Sequence, residues 1–307
     1  MALWLPPQSV LALRERVPEL LVPNRPPIGR VEINWSNSLW NGLALCWVAT
    51  QPVNLVDNQR PTINGTELVG SDNGATARFT KTDTGSIYWN QEYLKTSNGL
   101  GTGDFSIVAR ANPVAESVLS AIAGQKWDPG GSPFNQVVLG ANMAENFTNN
   151  QGRLGFVMYT VGTGAVGIQL VDVIDGNWHT FFGVRQDTNF HIGINYRAFT
   201  TKTSQDVADI SDGKRYTLIG NGGKNSSSDA YGRNQAFVLM FNRALTESEA
   251  HRIHYILTSD LRQLLKPAND DPYLISAGAA TAPGVPTSLI NQNITASGFR
   301  SVWTAPA

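Results

Sequence analysis

With 307 residues, 41% of them hydrophobic, the chain can bury a sizeable core as one large domain with appendages or as two ordinary ones. Its 23 basic and 24 acidic side chains leave a formal net charge of −1 and no broad basic face, which removes electrostatic support for nucleic-acid binding. The single cysteine, Cys46, excludes an intrachain disulfide and a cysteine-based zinc site, and its apolar setting from Leu43 to Val48 marks a small buried hydrophobe rather than a nucleophile.

Residues 1–30 carry Pro6, Pro7, Pro18, Pro23, Pro26 and Pro27, so they cannot form a long helix or a central strand. Ser9 caps one short helix with Val10, Leu11, Leu13 and Val17 on its apolar side. The segment reads as an assembly arm: Trp4, Leu5, Leu20 and Leu21 need a surface to cover them, and a neighbouring subunit is the expected one. The opening Met1-Ala2-Leu3-Trp4-Leu5 lacks an early basic region, so no signal peptide is expected. No run approaches the ~18 apolar residues of a membrane span, so no membrane partner is expected and synthesis in a cytoplasm is.

Residues 31–267 then read as one all-β domain. Phe105, Ile107, Ala109 and Ala111 alternate with Ser106, Val108 and Arg110, and further strands are expected at 136–140, 153–161, 167–174 and 215–220. Many short strands between Gly, Asn, Asp and Pro clusters predict a two-sheet antiparallel sandwich. The stretch from Asp175 to Ile194 predicts a hairpin, with a turn at Asp175-Gly176 and a polar connection through Gln186-Asp187-Thr188-Asn189. Phe190, Ile192 and Ile194 fall on one face of its second strand and His191 and Gly193 on the other, so one buried face and one wet face are expected.

Between the later strands, Asp206, Asp209 and Asp212-Gly213 offer carboxylates that calcium would accept, but the spacing matches no calcium loop and a solvated loop is expected. Gly220 to Ser226 resembles a phosphate loop only superficially, since Leu218 stands at the first glycine position and Asn225 follows the lysine. Loops on rigid sandwiches often carry function, and Asn221, Asn225, Asp229 and Tyr231 form a candidate glycan-binding rim. Thr246-Glu247-Ser248-Glu249 is a capping box ahead of Ile253, Ile256, Leu257, Leu261 and Leu264 at helical spacing, and the helical region is expected to stop at Lys266-Pro267. Residues 268–283 read as a linker, with the small, flexible residues from Ser276 onward at its centre.

Asp175, Gly176, Trp178 and His179 resemble the Asp-Gly-x-Trp-His turn of the laminin-G/concanavalin A-like jelly-roll sandwich, and Asn242-Arg243-Ala244-Leu245-Thr246 through Glu249 resembles the ending of that family's last strand. Where those domains usually carry Asp-Gly after the second hairpin strand, this chain has Asn195-Tyr196-Arg197. The opening from Ile33 to Trp47, with Asn54-Leu55-Val56-Asp57, and the closing helix are similar to laminin-G-like domains of tailed-bacteriophage structural proteins. Residues 284–307 resemble the first strands of a fibronectin type III module, an incomplete one that should not fold alone.

The glycosidases built on this sandwich use paired carboxylates, commonly as Glu-x-Asp-x-x-Glu on one strand, and no strand here carries that pattern. Glu247 and Glu249 are explained by helix capping, His251 and His254 lack a third metal ligand and read as exposed, and His179 has no Ser or Cys motif beside it. No catalytic residue, cofactor or metal is therefore assigned. What the resemblance implies is a non-enzymatic virion protein, a capsid decoration or tail fibre component held among other virion subunits as a homo-oligomer, a trimer by analogy. The alternative is a carbohydrate-binding adhesin or receptor-binding module, since the fold alone does not choose between them.

Overall fold

The computed structural model describes residues 26–27, 30–64, 66–71, 74–79, 86–94, 103–116, 120–127, 136–146, 148–160, 164–204, 215–220, 234–268, 290–291 and 301–302. Trp4, Leu5, Leu20, Leu21, the short helix at Ser9, the aspartates at 206, 209 and 212, and the rim residues Asn221, Asn225, Asp229 and Tyr231 lie outside them. The chain divides into two units, residues 1–268 and 269–307.

The first unit is an all-β jelly-roll sandwich of two antiparallel sheets. In chain order its strands are β1 (Val31–Ile33), β2 (Leu43–Val48), β3 (Thr62–Asn64), β4 (Thr66–Ser71), β5 (Gly74–Phe79), β6 (Ser86–Trp89), β7 (Phe105–Ala111), β8 (Ser120–Trp127), β9 (Gln136–Met143), β10 (Asn149–Thr160), β11 (Gly164–Leu170), β12 (His179–Gln186), β13 (Asn189–Ile194), β14 (Thr200–Thr203), β15 (Arg215–Ile219), β16 (Asn234–Phe241) and β17 (Leu265–Pro267), with helix α1 (Glu247–Ser259) before the last. A seven-stranded sheet has the order β11-β10-β9-β8-β15-β6-β3. An eight-stranded sheet has the order β14-β13-β12-β7-β16-β5-β4, with β2 also paired to β16.

The hairpin is β12 and β13, closed by Asp187 and Thr188 with Gln186 opposite Asn189, and Asp187 takes a φ of 52°. Phe190, Ile192 and Ile194 face inward with Phe181, Ile107 and Val238 and meet Phe156 and Leu139 of the other sheet. The Phe156 and Phe190 rings lie 6.0 Å apart.

The opposite face of the eight-stranded sheet is not wet, contrary to the sequence reading. Phe182 and Val184 of β12, Val108 of β7 and Phe237, Leu239 and Phe241 of β16 join Ala250, Ile253, Ile256 and Leu257 of α1 and Val31, Ile33 and Trp40 in a second buried cluster. Both faces of the central strands are therefore apolar, and α1 supplies the cover. Cys46 is buried in this cluster, and desolvation pushes its thiol pKa up.

The capping box forms as read: the Thr246 hydroxyl accepts from the Glu249 amide at 3.2 Å, and Glu249 Oε2 accepts from the Thr246 amide at 2.9 Å. The helix ends at Ser259, earlier than Lys266-Pro267, and a 3-10 turn follows over Leu261–Gln263. Residues 265–267 are instead strand β17, paired with β1 so that Ile33 faces Leu265 and Val31 faces Pro267. The cause is long-range: β1 offers backbone partners, and the Asn34 amide and the Trp40 indole claim the Leu264 and Gln263 carbonyls at 2.8 and 2.7 Å. No helix among the described residues is long and apolar enough to cross a membrane. In the second unit the described residues form a pair of short antiparallel strands, β18 (Ile290–Asn291) and β19 (Ser301–Val302).

Candidate functional site

Strand directions bring residues 112–116, 144–146, 171–178 and 195–199, with Gly220 and Asn234, to one end of the sandwich. The described parts of this end are cross-braced. Asn142, held at a φ of 54°, donates to the Val114 carbonyl at 2.9 Å and accepts from the Glu116 and Gly152 amides at 3.1 and 3.0 Å. Gly152 in turn accepts from the Val173 and Ile174 amides, which is why β11 ends at Leu170 and residues 171–174 leave the strand. Asn112 and Asn234 exchange two hydrogen bonds, and Gly220 follows β15 in one sheet while Asn234 opens β16 in the other.

The Asp-Gly-x-Trp-His turn is the centre of this end, and each of its residues has a physical reason. Gly176 has a φ of +82°, donates to the Pro113 carbonyl at 2.9 Å, and would bring a Cβ to 3.2 Å from Val114 Cγ1. Asp175 accepts from the Asn177 amide, the Asn177 side chain and His179 Nε2, each at 2.9 Å. Burial would raise its pKa, but the hydrogen bonds from Asn177 and His179 outweigh that and pull it down to about 2. Trp178 is half-buried against the second cluster, with the Arg110 guanidinium 5.9 Å from its ring centre and donating to its carbonyl at 3.1 Å.

His179 is fixed in one tautomer. Asn195 accepts from the Thr180 amide through Oδ1 at 2.9 Å, so its Nδ2 faces His179 Nδ1 at 2.8 Å and must donate to it. The proton of the ring then sits on Nε2 and points at Asp175. This Asp–His pair is a brace across the turn, with no Ser or Cys nucleophile among its hydrogen-bond partners in the described residues.

His254 is buried rather than exposed. Its Nδ1 lies 2.8 Å from Thr180 Oγ1, and burial, with the charges of Arg110, His179 and His251, lowers its pKa to about 4. His251 Nε2 faces the Arg197 carbonyl at 3.3 Å, so the two helix histidines serve different partners. Glu247 and Glu249 are likewise engaged, Glu247 with the Phe199 amide at 2.8 Å and Glu249 with Arg243 at 2.8 Å. The sequence reading missed Asn142, Tyr196 and Arg110; the one local signal was asparagine at turn positions, where positive φ is tolerated.

Fold and site define a jelly-roll β-sandwich with a braced loop end. No protein-family model and no curated protein sequence matches the chain. Among solved structures it is similar to the binding domain of Paraclostridial Mosquitocidal Protein 1, with 15% identity and a TM-score of 0.50 over 71% of this chain and 52% of that one. It is also similar to domain 4 of AbnA, a GH43 extracellular arabinanase from Geobacillus stearothermophilus, in complex with arabinotriose, with 10% identity and a TM-score of 0.51 over 69% of this chain and 98% of that one. The chain thus spans about half the length of the mosquitocidal binding domain. At these identities the likeness is one of fold.

Proposed function

We propose that the sandwich is a carbohydrate-recognition module for a receptor glycan and acts without turnover. The observation that carries the reading is the braced end: Asn142, Asp175, His179 and Asn195 lock the connections around the turn, and Gly220 and Asn234 are hydrogen-bonded at the same end. The fold shared with a domain seen holding arabinotriose favours recognition over a purely structural role. Asn221, Asn225, Asp229 and Tyr231 remain the proposed rim. No cofactor is assigned, and the calcium reading of Asp206, Asp209 and Asp212 is not adopted.

The test is a glycan array probed with the full chain, with released sugar assayed on every polysaccharide bound. Binding without release, weakened when Asn225 and Tyr231 are changed to Ala, is the expected result. Turnover, or an array with no binding at all, overturns the reading.

The setting expected from the sequence, a tailed-phage particle, rests on the resemblance of the opening and closing segments and is secondary to recognition. In that setting residues 1–30, through Trp4, Leu5, Leu20 and Leu21, hold the protein to other virion subunits in a symmetric oligomer, a trimer by analogy. Deleting residues 2–30 should leave a folded sandwich that no longer joins the particle, and full incorporation of the truncated protein would refute the arm. The fibronectin-like reading of residues 284–307 is likewise a proposal from sequence.

A further inference from the structure

The turn Asn195-Tyr196-Arg197, where this chain departs from the domains it resembles, is built more firmly than a connection requires. Asn195 sits at a φ of 53°, its amide donates to the Thr180 carbonyl at 2.8 Å, and its side chain is held by the Thr180 amide and His179 Nδ1. The Arg197 amide closes the turn on the Ile194 carbonyl at 3.0 Å. The product of this bracing is an aromatic ring set out on the surface: Tyr196 is 55% exposed. Two imidazoles of α1 pack against it in T-shaped contacts, His254 at 4.4 Å and an 85° interplanar angle, His251 at 5.9 Å and 65°.

A rigid, solvent-facing aromatic ring loses little entropy on contact with a ligand. His251 offers its Nε2 to the Arg197 carbonyl, which leaves Nδ1 as an acceptor. Tyr255, 47% exposed, follows one helical turn beyond His251. Arg110, Arg197, His179, His251 and His254 gather around this turn, whereas Asp175 and Glu247, carboxylates at the same place, accept from Asn177, His179 and the Phe199 amide. Among these groups the permanent cations are Arg110 and Arg197, and both carboxylates are already engaged as acceptors.

We infer that Tyr196 is a stacking platform for an acidic pyranose, with Arg197 and His251 as polar partners for its carboxylate and hydroxyl groups. The inference rests on the glycan-recognition reading and specifies the sugar and the residues that hold it. A sugar ring presents apolar C–H groups to an aromatic face, while the planar guanidinium suits a carboxylate.

The probes are immobilised polygalacturonate, hyaluronate and polysialate, each beside its carboxyl-reduced form, with the full chain in solution. Binding to at least one acidic polymer and weaker binding to its reduced form is expected. Tyr196→Ala should weaken that binding about tenfold or more and Tyr196→Phe by about twofold at most, while Arg197→Gln should erase the preference for the acidic form. Urea denaturation of each variant separates a binding loss from a folding loss, and Tyr196→Phe, which keeps the ring, guards against the case where Tyr196→Ala unfolds. Equal binding of acidic and reduced polymers overturns the acidic assignment. Undiminished binding by folded Tyr196→Ala overturns the platform while leaving glycan recognition standing, and binding to no glycan on the wider array removes both.

Discussion

Acidification tests the burial of His254 directly. An unfolded imidazole takes up a proton as pH falls through about 6.5, whereas the folded one, buried on the sheet-facing side of α1 and beside Arg110, His179 and His251, resists until about 4. The unfolded state therefore binds more protons across that window. Stability is full above pH 6.5, declines as pH falls towards 4, and the contribution is flat below. The shift corresponds to about 3 kcal/mol at about 1.4 kcal/mol per pH unit, an upper bound; solvent at the open edge of the ring brings the expected loss to about 1–2 kcal/mol. Urea denaturation at pH 7 and pH 4.5 of the wild type and of His254→Gln measures it, because glutamine serves Thr180 Oγ1 as donor or acceptor but does not titrate. Carboxylate effects are common to both proteins and cancel in the difference. Parallel pH dependence in the two would refute the account of His254 as a histidine held neutral by its surroundings.

Ile192→Ala should destabilise the domain by about 2–5 kcal/mol in the same urea assay, since the side chain is fully buried between the sheets; an unchanged midpoint would contradict its inward placement. Gly183→Ala should lower stability and blur the near-ultraviolet circular dichroism, because a Cβ there falls 2.3 Å from the Phe156 ring, and overpacking of this kind costs about 1–3 kcal/mol or more. Thr246→Ala should cost about 1 kcal/mol through loss of the capping box, and Thr246→Ser much less; equal effects of the two would point away from the cap hydroxyl.

Much of the architecture was legible because local and global signals agree. The Asp175-Gly176 turn, the alternation at Phe190, Ile192 and Ile194, and the Thr246 capping box each depend on neighbours within a few residues. The second core was legible in principle and misjudged: Phe181-Phe182-Gly183-Val184 and Phe237 to Phe241 are apolar on both strand faces, the mark of strands covered on both sides. Strand β17 was not legible, since nothing in Leu265-Lys266-Pro267 announces a partner at Val31 to Ile33. Nor was the setting of Tyr196 and His254, which depends on α1 crossing the sheet at Thr180, a contact 74 residues apart in sequence.

The pairing of β1 with β17 also decides how the sandwich meets mechanical load. Val31 faces Pro267, so tension applied through residues 30 and 268 enters at one end of a three-residue antiparallel pair and opens it like a zip, one rung after another. Such a pair yields at low force, because its hydrogen bonds lie along the pull and break in succession rather than together. The sheets behind it are loaded only after β1 and β17 have peeled away. The pair is thus a sacrificial link, and a single-molecule pulling trace should show a small early extension before the main rupture of the sandwich.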